Sequence, residues 1–173
     1  MNNTLKNKKI LISAGASGIG WATAKICLLK GATVFLCDVE QKYLSKIKKH
    51  KQINKKLFTY HCDASSEDDV SQLFTKISKK TKKLDCLINN VGVAGPTGTI
   101  EKLSSIQWEK TLKTNVISHF YFTKLAIPML KKNKGGSIIN MSSGAGIMGF
   151  PLRSPYAASK CCLLYTSDAA DDE

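Results

Sequence analysis

Lys9-Ile10-Leu11-Ile12-Ser13-Ala14-Gly15-Ala16-Ser17-Gly18-Ile19-Gly20 decides the fold of this chain. A short apolar, β-branched run, Lys9–Ala14, passes through a glycine-rich turn into a helical stretch over about Ile19–Lys30. Glycines between a strand and a helix let the backbone approach a diphosphate and aim the first helical amides at it. Working outward, strand-like and helix-like segments keep alternating. Ala32–Cys37 is a second apolar strand ended by Asp38, and Gln41–His50 has helical spacing. Leu57–Cys62 is a third strand, after which Ser66 and the acids Glu67, Asp68 and Asp69 mark a helix start.

Leu84–Ile88 predicts a fourth strand and Gly92–Thr99 a Gly/Pro loop. A long helical region from about Ser105 carries Leu112, Val116, Phe120, Leu125 and Met129 at helical intervals. Gly135-Gly136 breaks it, and Ser137–Met141 predicts a fifth strand. Nearly all-apolar strands alternating with helices predict an α/β fold with a doubly wound parallel sheet, binding ligands beyond the carboxyl ends of its strands.

Bulk properties fit one globular domain: 173 residues, 43% hydrophobic and 23% charged. No apolar run is long enough to span a bilayer and no signal segment precedes the first strand, so a cytoplasmic protein without membrane association is expected. The net charge of +13 raises nucleic acid as a partner. Arg153 is the sole arginine among 26 basic residues, and no aromatics interleave the lysine clusters to stack on bases, so a solvated lysine surface is expected instead. The six cysteines form no C-x-x-C pair and have no histidine at ligand spacing. Reduced thiols and no metal are expected.

Two further features carry chemistry. Asp38 lies 18 residues after Gly20, at the end of the second strand, where a carboxylate can accept hydrogen bonds from an adenosine ribose. It would repel the extra phosphate of NADP, and Val39 beside it supplies no cation, so NAD is the expected cofactor. Tyr156 and Lys160, four residues apart, share a helix face, where an ammonium lowers a phenol's pKa. Ser143, after the fifth strand, opens onto the same crevice. His50, His61 and His119 have no partner at catalytic spacing and are expected to be structural; Arg153 is expected to be a solvated loop residue.

Together these features resemble the single-domain short-chain dehydrogenase/reductases, Rossmann-fold enzymes. Ser13-Ala14-x-x-x-Gly18-x-Gly20 is similar to their T-G-x-x-x-G-x-G turn, with Ala14 in place of the first glycine. Asn89-Asn90-Val91-Gly92 is similar to N-N-A-G, and Ser142-Ser143 with Tyr156-Ala157-Ala158-Ser159-Lys160 to the active-site serine and Y-x-x-x-K. The resemblance covers Lys8 to Cys161. It implies an oxidoreductase that interconverts a secondary alcohol and a ketone or other carbonyl by hydride transfer, from a homo-oligomeric parent. Tyr156 becomes the general acid/base, Lys160 its modulator and a ribose ligand, and Ser143 the substrate-oxygen donor, while Asn115 holds a water. Ser13, Gly15, Ser17, Gly18, Ile19, Gly20, Asp38, Asp63, Asn90, Tyr156 and Lys160 would contact NAD.

The last stretch departs from this pattern. Cys162–Asp171 resembles the translation of a sequencing-library adapter, so residues 162–173 are expected to be a non-native tail on a domain of residues 1–161, truncated and incomplete at its C-terminus. The alternative to an enzyme is accordingly a nucleotide-binding fragment without catalytic activity.

Overall fold

The computed structural model describes residues 4–48 and 55–165. His50 and residues 166–173 of the expected tail lie outside the described residues. Five parallel strands, β1 (Lys9–Ile12), β2 (Thr33–Asp38), β3 (Leu57–His61), β4 (Cys86–Asn89) and β5 (Ser137–Asn140), form one sheet in the order β3-β2-β1-β4-β5. The helices are α1 (Gly18–Leu29), α2 (Gln41–Lys48), α3 (Glu67–Ser78), α4 (Ser105–Leu112), α5 (Ser118–Lys131), α6 (Ala145–Met148) and α7 (Ser154–Tyr165). The doubly wound α/β fold expected from the alternation is the observed one.

Strand residues alternate between two apolar layers, because successive side chains leave a strand on opposite faces. Leu11, Phe35, Cys37 and Leu87 meet Val70, Leu73, Phe74 and Ile77 of α3 and Phe122 and Ala126 of α5. Ile10, Ile12, Val34, Leu36 and Ile88 meet Ala24 and Cys27 of α1 and Leu44 and Ile47 of α2. α3 starts as its sequence dictates: Ser66 Oγ accepts from Asp69 N at 3.2 Å, and three acids occupy the first turn. β5 is different. As an edge strand it leaves Ile138 and Ile139 37% and 46% exposed.

Chain order reverses between β1 and β4, which opens a crevice at their carboxyl ends. The first strand is shorter than its apolar run, because Ser13 and Ala14 leave the ladder to form the turn. Ala14 sits at φ +48°, in the left-handed region. The long helical region is likewise not one α-helix. A π turn, Lys113–Ile117, joins α4 to α5 and inserts a wide turn into the repeat. Its buried face is Thr111, Asn115, Ser118, His119, Phe122, Ala126 and Met129, while Phe120 is 56% exposed. The expected apolar stripe through Leu112, Val116 and Phe120 is therefore corrected. The buried face near the π turn is polar because it meets the end of β4, whose backbone needs partners.

His119 is one of these buried residues, with Nε2 3.1 Å from the Val91 carbonyl. Burial lowers its pKa to about 4, with the Lys160 charge acting in the same direction and the Val91 bond opposing both. Burial pushes the Cys86 thiol up to about 11.

Two outcomes follow for stability. An alanine in the left-handed region costs about 1 kcal/mol, so Ala14→Gly is expected to raise the melting temperature by about 2–4 °C. A thermal melt showing no gain would mean that Ala14 is unstrained. For His119 the native pKa lies below the unfolded one, so the unfolded chain binds the extra proton between pH 6.5 and about 4. Its contribution is complete above pH 6.5 and falls by roughly 3 kcal/mol as pH drops through that window. Denaturant titrations of wild type and His119→Gln should show the wild type losing stability relative to the variant across it.

Candidate active site

Ser13 and Asn90 close the junction between β1 and β4. Ser13 N donates to Ile88 O at 3.1 Å, Asn90 N to Ser13 Oγ at 3.0 Å, and Asn90 Nδ2 to Ala14 O at 2.9 Å. The turn therefore starts at a fixed point. Gly20 completes it, since a Cβ there would lie 2.4 Å from Ala14 O and 2.6 Å from Asn90 Nδ2. Gly15 lies against Leu36, whereas Gly18, at φ +51° and facing open space, begins α1. Ser17 is the extended N-cap residue, its side chain forms no cap bond, and no acid occupies the first turn. The positive end of α1 thus presents uncapped amides to the crevice.

Asp38 has a role in the turn that its sequence position does not reveal. Its carboxylate accepts from Ala16 N at 3.0 Å and from Glu40 N at 3.0 Å, which pins the glycine-rich turn to the end of β2. Val39 is exposed, and Lys42, the nearest candidate cation in sequence, is paired with Glu40 at 3.4 Å and lies 5.0 Å over the Tyr43 ring. Asp63 stands apart, after the edge strand β3. Its carboxylate accepts from Ser65 N and Ser65 Oγ, both at 2.8 Å.

Tyr156 and Lys160 of α7 meet the crevice from the β5 side. A cleft of about 210 Å³ is lined by Ile19, Asn90, Gly92, Met141, Tyr156 and Lys160, with Val93, Ala94 and Ser142 completing the wall. It brings one residue of the glycine-rich turn together with the predicted Tyr-Lys pair. The Lys160 ammonium lies 6.0 Å from the Tyr156 ring centroid, donates to Met141 O at 2.7 Å, and has its pKa lowered by burial. Ser142 lines the cleft and donates through Oγ to Lys160 O at 2.7 Å. Ser143 follows it, and its Oγ accepts from Ala145 N at 3.2 Å, which leaves the hydroxyl proton for another acceptor.

Asn115 lies at the centre of the π turn, fully buried behind the cleft. Oδ1 accepts from Val93 N at 2.8 Å, and Nδ2 donates to Val93 O and Ser159 Oγ, both at 2.9 Å. Its amide hydrogens are engaged within the protein, so the side chain acts as a clamp on the wall of the cleft. Arg153, expected to be solvated, donates to Ala94 O at 3.2 Å and ties the loop to the start of α7. His119, expected to be structural, and Ser142 and Ser159, read in the sequence only within motifs, belong to this neighbourhood without having been given a role in it. The four-residue spacing of Asn115 and His119 was the signal in the sequence.

Among the described residues no group of His, Cys, Asp or Glu is arranged to hold a metal, and no helix is long and apolar enough to cross a membrane. Residues 8–173 match the family described as short chain dehydrogenase. The chain is 32% identical over 157 residues to the 3-oxoacyl-(acyl-carrier-protein) reductase of Thermotoga maritima, covering 90% of this chain and 63% of that one. It is 35% identical over 156 residues to a 3beta-hydroxysteroid dehydrogenase of Mediterraneibacter gnavus, covering 89% and 56%. The solved structure of an NAD+-bound xylitol dehydrogenase matches with a TM-score of 0.88 at 26% identity, covering 93% of this chain and 62% of that one. The chain thus spans less than two thirds of the length of these relatives. The strand–turn–helix crevice, the Tyr156-Lys160 cleft and these matches agree, and the chain belongs to the short-chain dehydrogenase family.

Proposed function

We propose that the protein is an NAD-dependent oxidoreductase that interconverts a secondary alcohol and a ketone or other carbonyl. The observation that carries this reading is the shared cleft of Ile19, Asn90, Tyr156 and Lys160, in which the crevice beside the glycine-rich turn meets a Tyr-Lys pair. The residues present fit a dinucleotide. The uncapped amides of α1 and the open space at Gly18 suit a diphosphate, and Asp38 lies beside the turn where a ribose would arrive. Ser13, Gly15, Ser17, Ile19, Gly20 and Asn90 would shape that seat. Asp63 would meet the adenine side and Lys160 the second ribose. When bound, the nicotinamide supplies or accepts the hydride at the substrate carbon.

The chain's own residues would handle the proton. In reduction Tyr156 Oη donates its proton to the carbonyl oxygen as negative charge develops there, and in oxidation the phenolate removes the alcohol proton. Lys160, held within the wall of the cleft by Met141 O, stabilises the phenolate through its positive charge. The free hydroxyl proton of Ser143 serves the same substrate oxygen. Asn115 keeps Val93, and with it the wall of the cleft, in place.

A second reading has its own support. The short coverage of the relatives and the exposed Ile138 and Ile139 of β5 favour a nucleotide-binding chain without turnover for these residues alone. Calorimetry with NAD, beside a turnover assay on the same preparation, separates the two.

In an active preparation, Tyr156→Phe should lower turnover by roughly 10²–10⁴-fold while NAD affinity stays within about threefold. Retained turnover would remove Tyr156 from the mechanism. Cofactor choice rests on Asp38. The wild type should favour NAD over NADP by roughly ten- to a hundredfold in catalytic efficiency, and Asp38→Ala with Val39→Arg should shift it toward NADP. Equal efficiencies in the wild type would overturn the assignment.

A further inference from the structure

Three polar side chains recur every fourth residue along the π turn and α5, at Asn115, His119 and Thr123. They meet every second residue of β4 and its extension. Asn115 bonds Val93 N and O at 2.8 and 2.9 Å, His119 Nε2 lies 3.1 Å from Val91 O, and Thr123 Oγ1 accepts from Asn89 Nδ2 at 3.1 Å. Four helical residues advance about 6 Å and two strand residues about 6.6 Å, so the three rungs stay in register. Asn115 clamps the cleft wall, and Asn89 links β4 to β5 through Asn140 Oδ1 at 2.9 Å. His119, the middle rung, takes no part in the proton transfer described above.

We infer that His119 is a positioning residue: donation from its Nε2–H to the Val91 carbonyl sets the height of Gly92 beneath the Lys160 ammonium. The inference rests on the roles proposed for Lys160 and Tyr156. Gly92 is the only residue between the Val91 and Val93 anchors. A Cβ on it would lie 3.1 Å from Lys160 Nζ, tighter than ordinary van der Waals contact, so no side chain separates this stretch of backbone from the ammonium. Lys160 Nζ is fixed on another side by Met141 O at 2.7 Å. A shift of Val91 therefore reaches the ammonium through one glycine, with no side chain to absorb it.

The hydrogen bond also dictates the tautomer. A carbonyl only accepts, so the proton sits on Nε2, and Nδ1 is left as a bare acceptor. Nδ1 is indeed buried without a partner, which an acceptor tolerates better than an N–H does. An imidazolium would bury a second donor with no acceptor and add a cation facing Lys160. With a pKa near 4 the ring is neutral at ordinary pH.

The test uses the purified full-length chain. ¹⁵N NMR of the unmutated protein near pH 7 should show the Nε2–H tautomer of His119, whereas Nδ1–H would overturn the inference. Hydrogen exchange at the Val93 amide should accelerate about tenfold or more in His119→Phe and return toward wild type in His119→Gln, whose side-chain amide can donate to Val91 O. Unchanged exchange, or equal acceleration in both variants, would overturn it. In an active preparation kcat should fall about tenfold in His119→Phe with KM for NAD within about threefold, and His119→Gln should recover most of it. Wild-type kinetics in His119→Phe would overturn the inference. If the unmutated protein shows no turnover at all, the proposed function fails, and the tautomer and exchange measurements still decide the role of His119.

Discussion

A parallel sheet ends in backbone groups that no neighbouring strand can satisfy, and the crevice end of this molecule is arranged around that constraint. At the carboxyl ends of β1 and β4 the chain must leave the ladder without stranding buried donors and acceptors. Ser13, Asn90 and Asp38 supply the missing partners: Ser13 Oγ to Asn90 N, Asn90 Nδ2 to Ala14 O, and Asp38 to Ala16 N. Each bond also fixes a piece of the glycine-rich turn. The residues that satisfy the sheet are thus the residues that shape the crevice, which is why Asp38 is both a ribose candidate and a structural pin.

The same constraint governs Lys160. Lys160 is only 4% exposed, so its ammonium needs partners, and burial lowers its affinity for the proton. The Met141 carbonyl at 2.7 Å meets part of that need, and Lys160 lines the cleft together with Tyr156. Ser142 Oγ, bonded to Lys160 O, fastens α7 to the segment after β5. Asn115, bonded to Val93 and Ser159, fastens α7 to the wall after β4. The Tyr-Lys pair is consequently held by two strands at once, although both residues belong to one short stretch of sequence.

The architecture was largely legible along the chain because its signals are local. Val34, Phe35, Leu36 and Cys37 are apolar on both faces of their strand, which only a sheet covered on both sides accommodates, and α3 carries its start signal at Ser66. The helical region after Ser105 was legible as a helix but not in its facing. The π turn at Lys113–Ile117 is a hydrogen-bond pattern without a residue signature, and it accompanies a buried face that runs through Asn115 and His119 instead of Phe120. A buried polar face reads as a solvated one until its partners are known.

The sequence by itself determined the alternation of strands and helices, the glycine-rich turn at Gly15–Gly20, and the four-residue spacing that puts Tyr156 and Lys160 on one helix face. Each depends on residues within about twenty positions of one another. Only the tertiary structure decided that Asp38 grips Ala16, that Arg153 holds Ala94, and that Asn115 and His119 grip Val93 and Val91. All four of these bonds end on a backbone carbonyl or amide of a residue more than twenty positions away in the chain. Every residue carries such groups, so no pattern of side-chain types can point to them, and the packing of helix against sheet selects which ones are used.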